Sequence, residues 1–135
     1  MDLELTDEQL ELRDTVRSFL AKECPIGLVR EVVEKGTRPE RLWASMVELG
    51  WPALLVPESA GGVGLGFVEL AVLAEEAGRT LTPGPFLATA TQFVPAVLEA
   101  GSPEQQERFL GAVARGETTG TLAVADDGGI TARRQ

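Results

Sequence analysis

Histidine is absent from this 135-residue sequence, and its absence excludes a great deal of chemistry. Without an imidazole the chain holds no Ser-His-Asp or Cys-His relay and no His-ligated metal site of its own. Cysteine is nearly absent too. Cys24 stands alone, so no internal disulfide can form, which suits a reducing cytoplasm. No stretch approaches the ~20 apolar residues that span a bilayer. The N-terminus, Met1-Asp2-Leu3-Glu4, is acidic, whereas a secretory leader begins basic. The expectation is a soluble cytoplasmic protein with no membrane attachment. Basic residues are few: 12 Lys and Arg against 21 Asp and Glu give a net charge of −9. That balance argues against non-specific nucleic-acid binding, which depends on cationic side chains neutralising phosphates.

What is present is globular. Hydrophobic residues at 44% and charged residues at 24% fit a packed domain rather than a disordered or membrane chain. A domain of this length can bury roughly two thirds of its extended-chain surface, enough for a core without disulfides or metals.

Local signals divide the chain into helices. Thr6 followed by Gln9 is a capping box, with Asp7 and Glu8 at the positive end of the helix dipole. Leu12, Val16, Phe19 and Leu20 recur at helical spacing until Cys24-Pro25. A second helix is predicted over 28–35, ending at Gly36, and a third from about Pro39 to Leu49, capped by Gly50. Residues 51–57 read as a short apolar connector, and Gly61, Gly62, Gly64 and Gly66 form a glycine-rich loop. A fourth helix is expected over 67–77 with Gly78 as its cap. A fifth, over 86–100, should bend at Pro95, whose ring cannot donate to the helical ladder. Ser102-Pro103-Glu104-Gln105 is a second capping box, opening a sixth helix that stops at Gly116. Thr119 to Ala125 is small, β-branched and short, and reads as one strand. The expectation is an all-α, six-helix bundle over 1–117 with one terminal strand. Because a lone strand needs neighbours, 118–135 read as the start of a β-domain whose remainder is missing.

Residue chemistry alone offers no convincing catalytic group. The glycine loop reads G-G-x-G-x-G rather than G-x-G-x-x-G, and no G-K-[ST] follows, so a structural turn is preferred over a phosphate cradle. Glu69, Glu75 and Glu76 share one helix, but adjacent Glu75 and Glu76 do not face each other. With Arg79 close by, a solvated or salt-bridged face is the better reading. Cys24 at a helix C-terminus reads as an inert, partly buried thiol, and Trp43 and Trp51 as core. Thr89, Thr91 and Gln92 are polar positions on an otherwise apolar helix. Surface exposure and the lining of a pocket are both open for them.

Four ordered motifs then resemble the acyl-CoA dehydrogenase family. Leu3 to Leu12 is similar to its opening helix, and 49–58 followed by Gly61-Gly62-Val63-Gly64-Leu65 resembles its L-G-hydrophobic-V-P-E-x-x-G-G-x-G stretch. Glu75-Glu76-Ala77-Gly78-Arg79 matches its E-E-x-G-R helix end. Ala100-Gly101-Ser102-Pro103-Glu104-Gln105-Gln106 with Gly116-Glu117 resembles its A-G-x-x-E-Q-Q…G-E segment.

The resemblance implies the N-terminal helical domain followed by the first strand of a middle β-domain, in an enzyme that is a homo- or hetero-oligomer. It also implies FAD, an acyl-CoA substrate oxidised at its Cα–Cβ bond, and an electron-transfer flavoprotein as acceptor. The family's catalytic glutamate lies in a C-terminal domain, so no residue here is assigned as the base, and no metal is implied. By register from Gly101, the substrate-pocket candidates are Gly84, Pro85, Ala88 and Gln92. The cofactor-binding candidates are Val124, Ala125 and Thr131, although the family's Thr-Glu-Pro core is replaced here by Ala125-Asp126-Asp127. That replacement keeps a second reading open: a non-catalytic helical subunit or interaction module of a dehydrogenase-like assembly.

Overall fold

The computed structural model describes residues 4–125. Among these the chain is all-α. Helix α1 spans Asp7–Glu23, α2 Ile26–Lys35, α3 Glu40–Glu48 and α4 Phe67–Arg79. A π-helical segment, Ala88–Phe93, runs into α5, Val94–Ala100, and α6 spans Pro103–Ala114. Both capping boxes form. The Gln9 N–H donates to Thr6 Oγ1 at 3.3 Å and Thr6 N–H returns to Gln9 Oε1 at 3.0 Å. Ser102 and Gln105 repeat the exchange at 3.3 and 2.8 Å. Pro25 both stops α1 and starts α2, two residues earlier than the apolar spacing predicts.

Helices α1 and α4 pack against each other in parallel, tied at three heights. At their N-termini Gln9 Nε2 donates to Glu69 Oε1 at 2.7 Å, while Glu69 Oε2 accepts the Gly66 N–H at 3.0 Å. Midway, Arg17 donates to both oxygens of Glu76 at 3.0 and 2.8 Å. At the C-terminal ends the Cys24 thiol reaches the Thr80 carbonyl at 3.9 Å. Glu76 is only 2% exposed, so the salt-bridged face expected at 69–76 is partly an interior one. Arg79 supplies a second cation to Glu76 at 3.4 Å and pairs with exposed Glu75 at 2.9 Å.

The core has two lobes. Val16, Leu20, Leu42, Met46, Leu70 and Leu73 fill the first, with Trp51 edge-on to Phe19 and Phe86 at centroid distances of 5.1 and 6.4 Å. Val94, Val97, Leu110 and Val113 fill the second. The connector 51–57 joins them. Trp51 and Leu54 belong to the first lobe, Ala53 and Val56 to the second.

Three details differ from the expectations. Gly78 does not cap α4. The helix continues to Arg79, and the left-handed residue is Leu81, with φ 51°. The Thr80 hydroxyl lies 3.3 Å from the Ala77 carbonyl, and Thr82 N–H donates to that same carbonyl at 2.9 Å, so the terminal carbonyls are satisfied two residues later than a Gly78 cap requires. The bend at Pro95 takes the form of the π segment: Val94 N–H donates to the Thr89 carbonyl, five residues back, which widens the ladder ahead of a ring that cannot donate. Third, the expected terminal strand is wrong. Residues 119–125 form no strand, because no second strand lies beside them among the described residues to complete a ladder.

Leu81 is 65% exposed and left-handed, so Leu81→Gly removes a steric penalty while losing little packing. It is expected to raise stability by roughly 0.5–1 kcal/mol, read as a higher urea midpoint. Arg17 holds the Glu76 carboxyl below its usual 4.5 against the opposing effect of burial. The pair's contribution is therefore complete above the ordinary carboxylate range and is lost as pH falls through the lowered folded value. Glu76→Gln should cost about 1–2 kcal/mol at pH 7, trimmed by solvent at the Arg17 end, and should lose less stability than wild type on acidification to pH 3. Urea titrations of both proteins across that range check it.

Candidate functional site

The backbone of the glycine loop is fully engaged. Gly62 N–H donates to the Pro57 carbonyl, Val63 to Ala53, Gly64 to Val56 and Leu65 to Leu54, all at 2.9–3.1 Å. These donors face the buried connector, so the loop is a structural turn and presents no cradle to a phosphate. A side chain at Gly62 would place its Cβ 2.1 Å from the Val56 carbonyl oxygen, so only glycine permits this approach.

A groove of about 550 Å³ lies elsewhere. One side is the α2–α3 corner, with Val32, Thr37, Arg38, Pro39, Glu40 and Trp43; the other is Gly84-Pro85 together with Gly116 and Thr119. Trp43 and Val32 are half-buried, and Gly84 sits against Pro39. Arg38 and Glu40 add one charge of each sign. Among the described residues that line it there is no cysteine and no buried carboxylate. It offers surface to lie against rather than a shielded proton acceptor.

The four pocket candidates separate. Gly84 and Pro85 line the groove, whereas half-buried Ala88 and exposed Gln92 are not in its lining. Gln92 Oε1 instead accepts the Thr121 hydroxyl at 3.0 Å. Neither alternative left open for Thr89 holds. It is fully buried at 0% exposure, and its hydroxyl accepts the Gly120 N–H at 3.3 Å and reaches the Gly120 carbonyl at 3.4 Å. Thr91 back-bonds the Leu87 carbonyl at 2.6 Å. Trp43, read from the sequence as core, packs half-buried against the core and also lines the groove. The contributions of Val32 and Thr119 had no counterpart in the sequence reading, since residues from two helices and a loop share no spacing.

Val124 is 85% exposed and Ala125 is exposed. Thr131, Asp126 and Asp127 lie outside the described residues. Ala125 has no hydroxyl, and no unpartnered buried side-chain polar atom occurs among the described residues. These residues do not by themselves compose a flavin site. Among the described residues no group of His, Cys, Asp or Glu could hold a metal, and no helix is long and apolar enough to cross a membrane. Cys24 is buried, and burial pushes its thiol pKa up, away from the reactive thiolate.

The described residues thus form a helical domain with a groove along one side. Its sequence matches the acyl-CoA dehydrogenase N-terminal domain over residues 6–117, and the chain belongs to that family. Acyl-CoA dehydrogenase IpdE2 of Mycobacterium tuberculosis is 35% identical over 124 residues, 90% of this chain and 38% of that protein. The ChsE4-ChsE5 complex from Mycobacterium tuberculosis superposes with a TM-score of 0.68 at 32% identity, covering 87% of this chain and 30% of that one. An acyl-CoA dehydrogenase of Bacillus anthracis, complexed with FAD, gives 0.74 at 27% identity, covering 93% and 22%. The chain spans about a third of the length of the curated relatives it matches.

The Phe93 ring lies within 2.6 Å of where a Cβ on Gly120 would sit. Gly120→Ala is therefore expected to release 119–122 from the helix while leaving helical circular dichroism unchanged. Loss of cross-peaks between Gly120 and the Phe93 ring in an NMR spectrum would report it.

Proposed function

We propose that this chain forms the N-terminal helical part of an FAD-dependent acyl-CoA dehydrogenase, and that its groove is one wall of the acyl pocket. The observation that carries the reading is the position of Gly84 and Pro85. These two are pocket candidates by register with the family, and they line a groove of a size suited to a small-molecule ligand. In this reading 118–135 lead into a middle β-domain, and the whole enzyme removes two hydrogens across the Cα–Cβ bond of an acyl-CoA thioester.

When bound, FAD supplies the hydride acceptor, and reducing equivalents leave to an electron-transfer flavoprotein. The residues described here do not build the flavin's bed, so no step is assigned to them. Their part is to exclude water from the acyl chain and to limit its path, with Trp43, Val32 and Pro85 as the apolar surfaces.

A second reading is favoured by one observation, the Ala125-Asp126-Asp127 sequence in place of Thr-Glu-Pro. It makes the chain a non-catalytic helical subunit of a dehydrogenase-like assembly, and the groove serves the same ligand there.

The test is fluorescence. Trp51 is buried in the core, so a ligand-dependent change reports Trp43. Titration with octanoyl-CoA should quench Trp43 saturably, with coenzyme A alone as control, and Val32→Phe should weaken binding about tenfold by filling the groove. Equal responses to octanoyl-CoA and coenzyme A would overturn the assignment. The isolated chain should reduce no dye with any acyl-CoA. Dye reduction that appears only on mixing with a second dehydrogenase chain would select the subunit reading.

A further inference from the structure

We propose that Thr89, which does not line the groove, is a positioning residue for it. Thr89 fixes Gly120, and through Gly120 it holds Thr119 in the groove wall. The inference rests on reading that groove as the acyl wall.

A threonine inside a helix ordinarily turns its hydroxyl back to a carbonyl of the preceding turn, as Thr91 does to Leu87. Thr89 does not. Its hydroxyl serves both backbone groups of Gly120, accepting the N–H at 3.3 Å and donating to the carbonyl at 3.4 Å. One side chain thus does for Gly120 what a neighbouring strand would do in a sheet. Around it the grip is completed from the same helix. The Phe93 ring occupies the space of a Gly120 side chain, and Gln92 takes the hydroxyl of Thr121 at 3.0 Å.

Thr89, Gln92 and Phe93 all belong to the π-helical segment, whose wider ladder is the local departure from α geometry that Pro95 imposes. Gly84 and Pro85 directly precede this helix, so they are carried by it covalently, and Thr119 is carried by it through the clamp. Both parts of one groove wall therefore move with a single element. A buried hydroxyl with no role beyond satisfying itself needs no such reach across 31 residues of sequence.

The experiment compares Thr89→Val, which keeps the volume and removes the hydroxyl, with Thr89→Ser, which keeps the hydroxyl. In the ligand-free chain, Val should accelerate amide exchange at Gly120 about tenfold and open Trp43 to acrylamide, with helical circular dichroism unchanged. Octanoyl-CoA binding should weaken several-fold in Val, and Ser should restore all three readouts. Unchanged Gly120 exchange and Trp43 quenching in Val, or failure of Ser to differ from Val, would overturn the proposal. Should wild type show no octanoyl-CoA response, the acyl reading falls, while exchange and quenching still decide the clamp. Gln92→Ala, an exposed change that removes only the Thr121 bond, should move quenching in the same direction if Val does not fold. No movement in that variant would count against the clamp.

Discussion

The structure depends on a stretch of irregular backbone being buried at its centre. Residues 51–57 pass between the two lobes of the core, with Trp51, Pro52, Ala53, Leu54 and Val56 buried. Their internal order is a 3₁₀ turn, Trp51–Ala53, followed by a bond from Val56 N–H to the Ala53 carbonyl at 3.1 Å. Carbonyls in such a place need partners, because an unpaired buried peptide group costs as much as a lost hydrogen bond or more. The glycine loop supplies them, with four successive N–H groups from Gly62 to Leu65 donating to carbonyls of Ala53, Leu54, Val56 and Pro57. The run of glycines is the steric condition for that approach. The connector can lie between the lobe of α1 to α4 and the lobe of α5 and α6 because it is both apolar and hydrogen-bonded.

The two-faced helix that follows works by a related compromise. Pro95 withdraws a donor, and the backbone answers by lengthening the ladder to five residues over Ala88–Phe93. That segment then presents Ala90 to the first lobe, with Val94 directly after it in the second. It also holds Thr89, Gln92 and Phe93 against the residues after α6. A break in regularity thus sits where one element must satisfy several neighbours at once.

Much of this was legible in the sequence because it is governed by local chemistry. The boxes at Thr6 and Ser102 mark helix starts by side-chain reach alone, and the apolar spacing of Val16 and Leu20 fixes the buried face of α1. The family motifs, too, were readable, and the matching domain covers residues 6–117. What escaped is governed by partners distant in sequence. Nothing near Glu76 announces that Arg17, 59 residues away, will let it be buried. Thr89 looks like any polar residue on a helix until Gly120 arrives. The segment 119–125 has the composition of a strand but no neighbour to pair with, and composition cannot reveal that. The groove escaped for the same reason, apart from the pair Gly84-Pro85 carried over by register.

The parallel pairing of α1 with α4 also sets an order of events during synthesis. Gln9 and Glu69 are separated by 60 residues. At ribosomal rates of about 5–20 residues per second, α1 therefore waits roughly 3–12 s for its partner to be made. Throughout that interval the stripe of Val16, Phe19 and Leu20 can meet only partners already made, such as Leu42, Met46 and Trp51, and still lacks Leu70 and Leu73. The acidic first turn and the charged opposite face of α1, with Glu8, Glu11, Asp14 and Lys22 exposed, give that waiting helix a solvated side and a net negative charge that oppose its association with other chains.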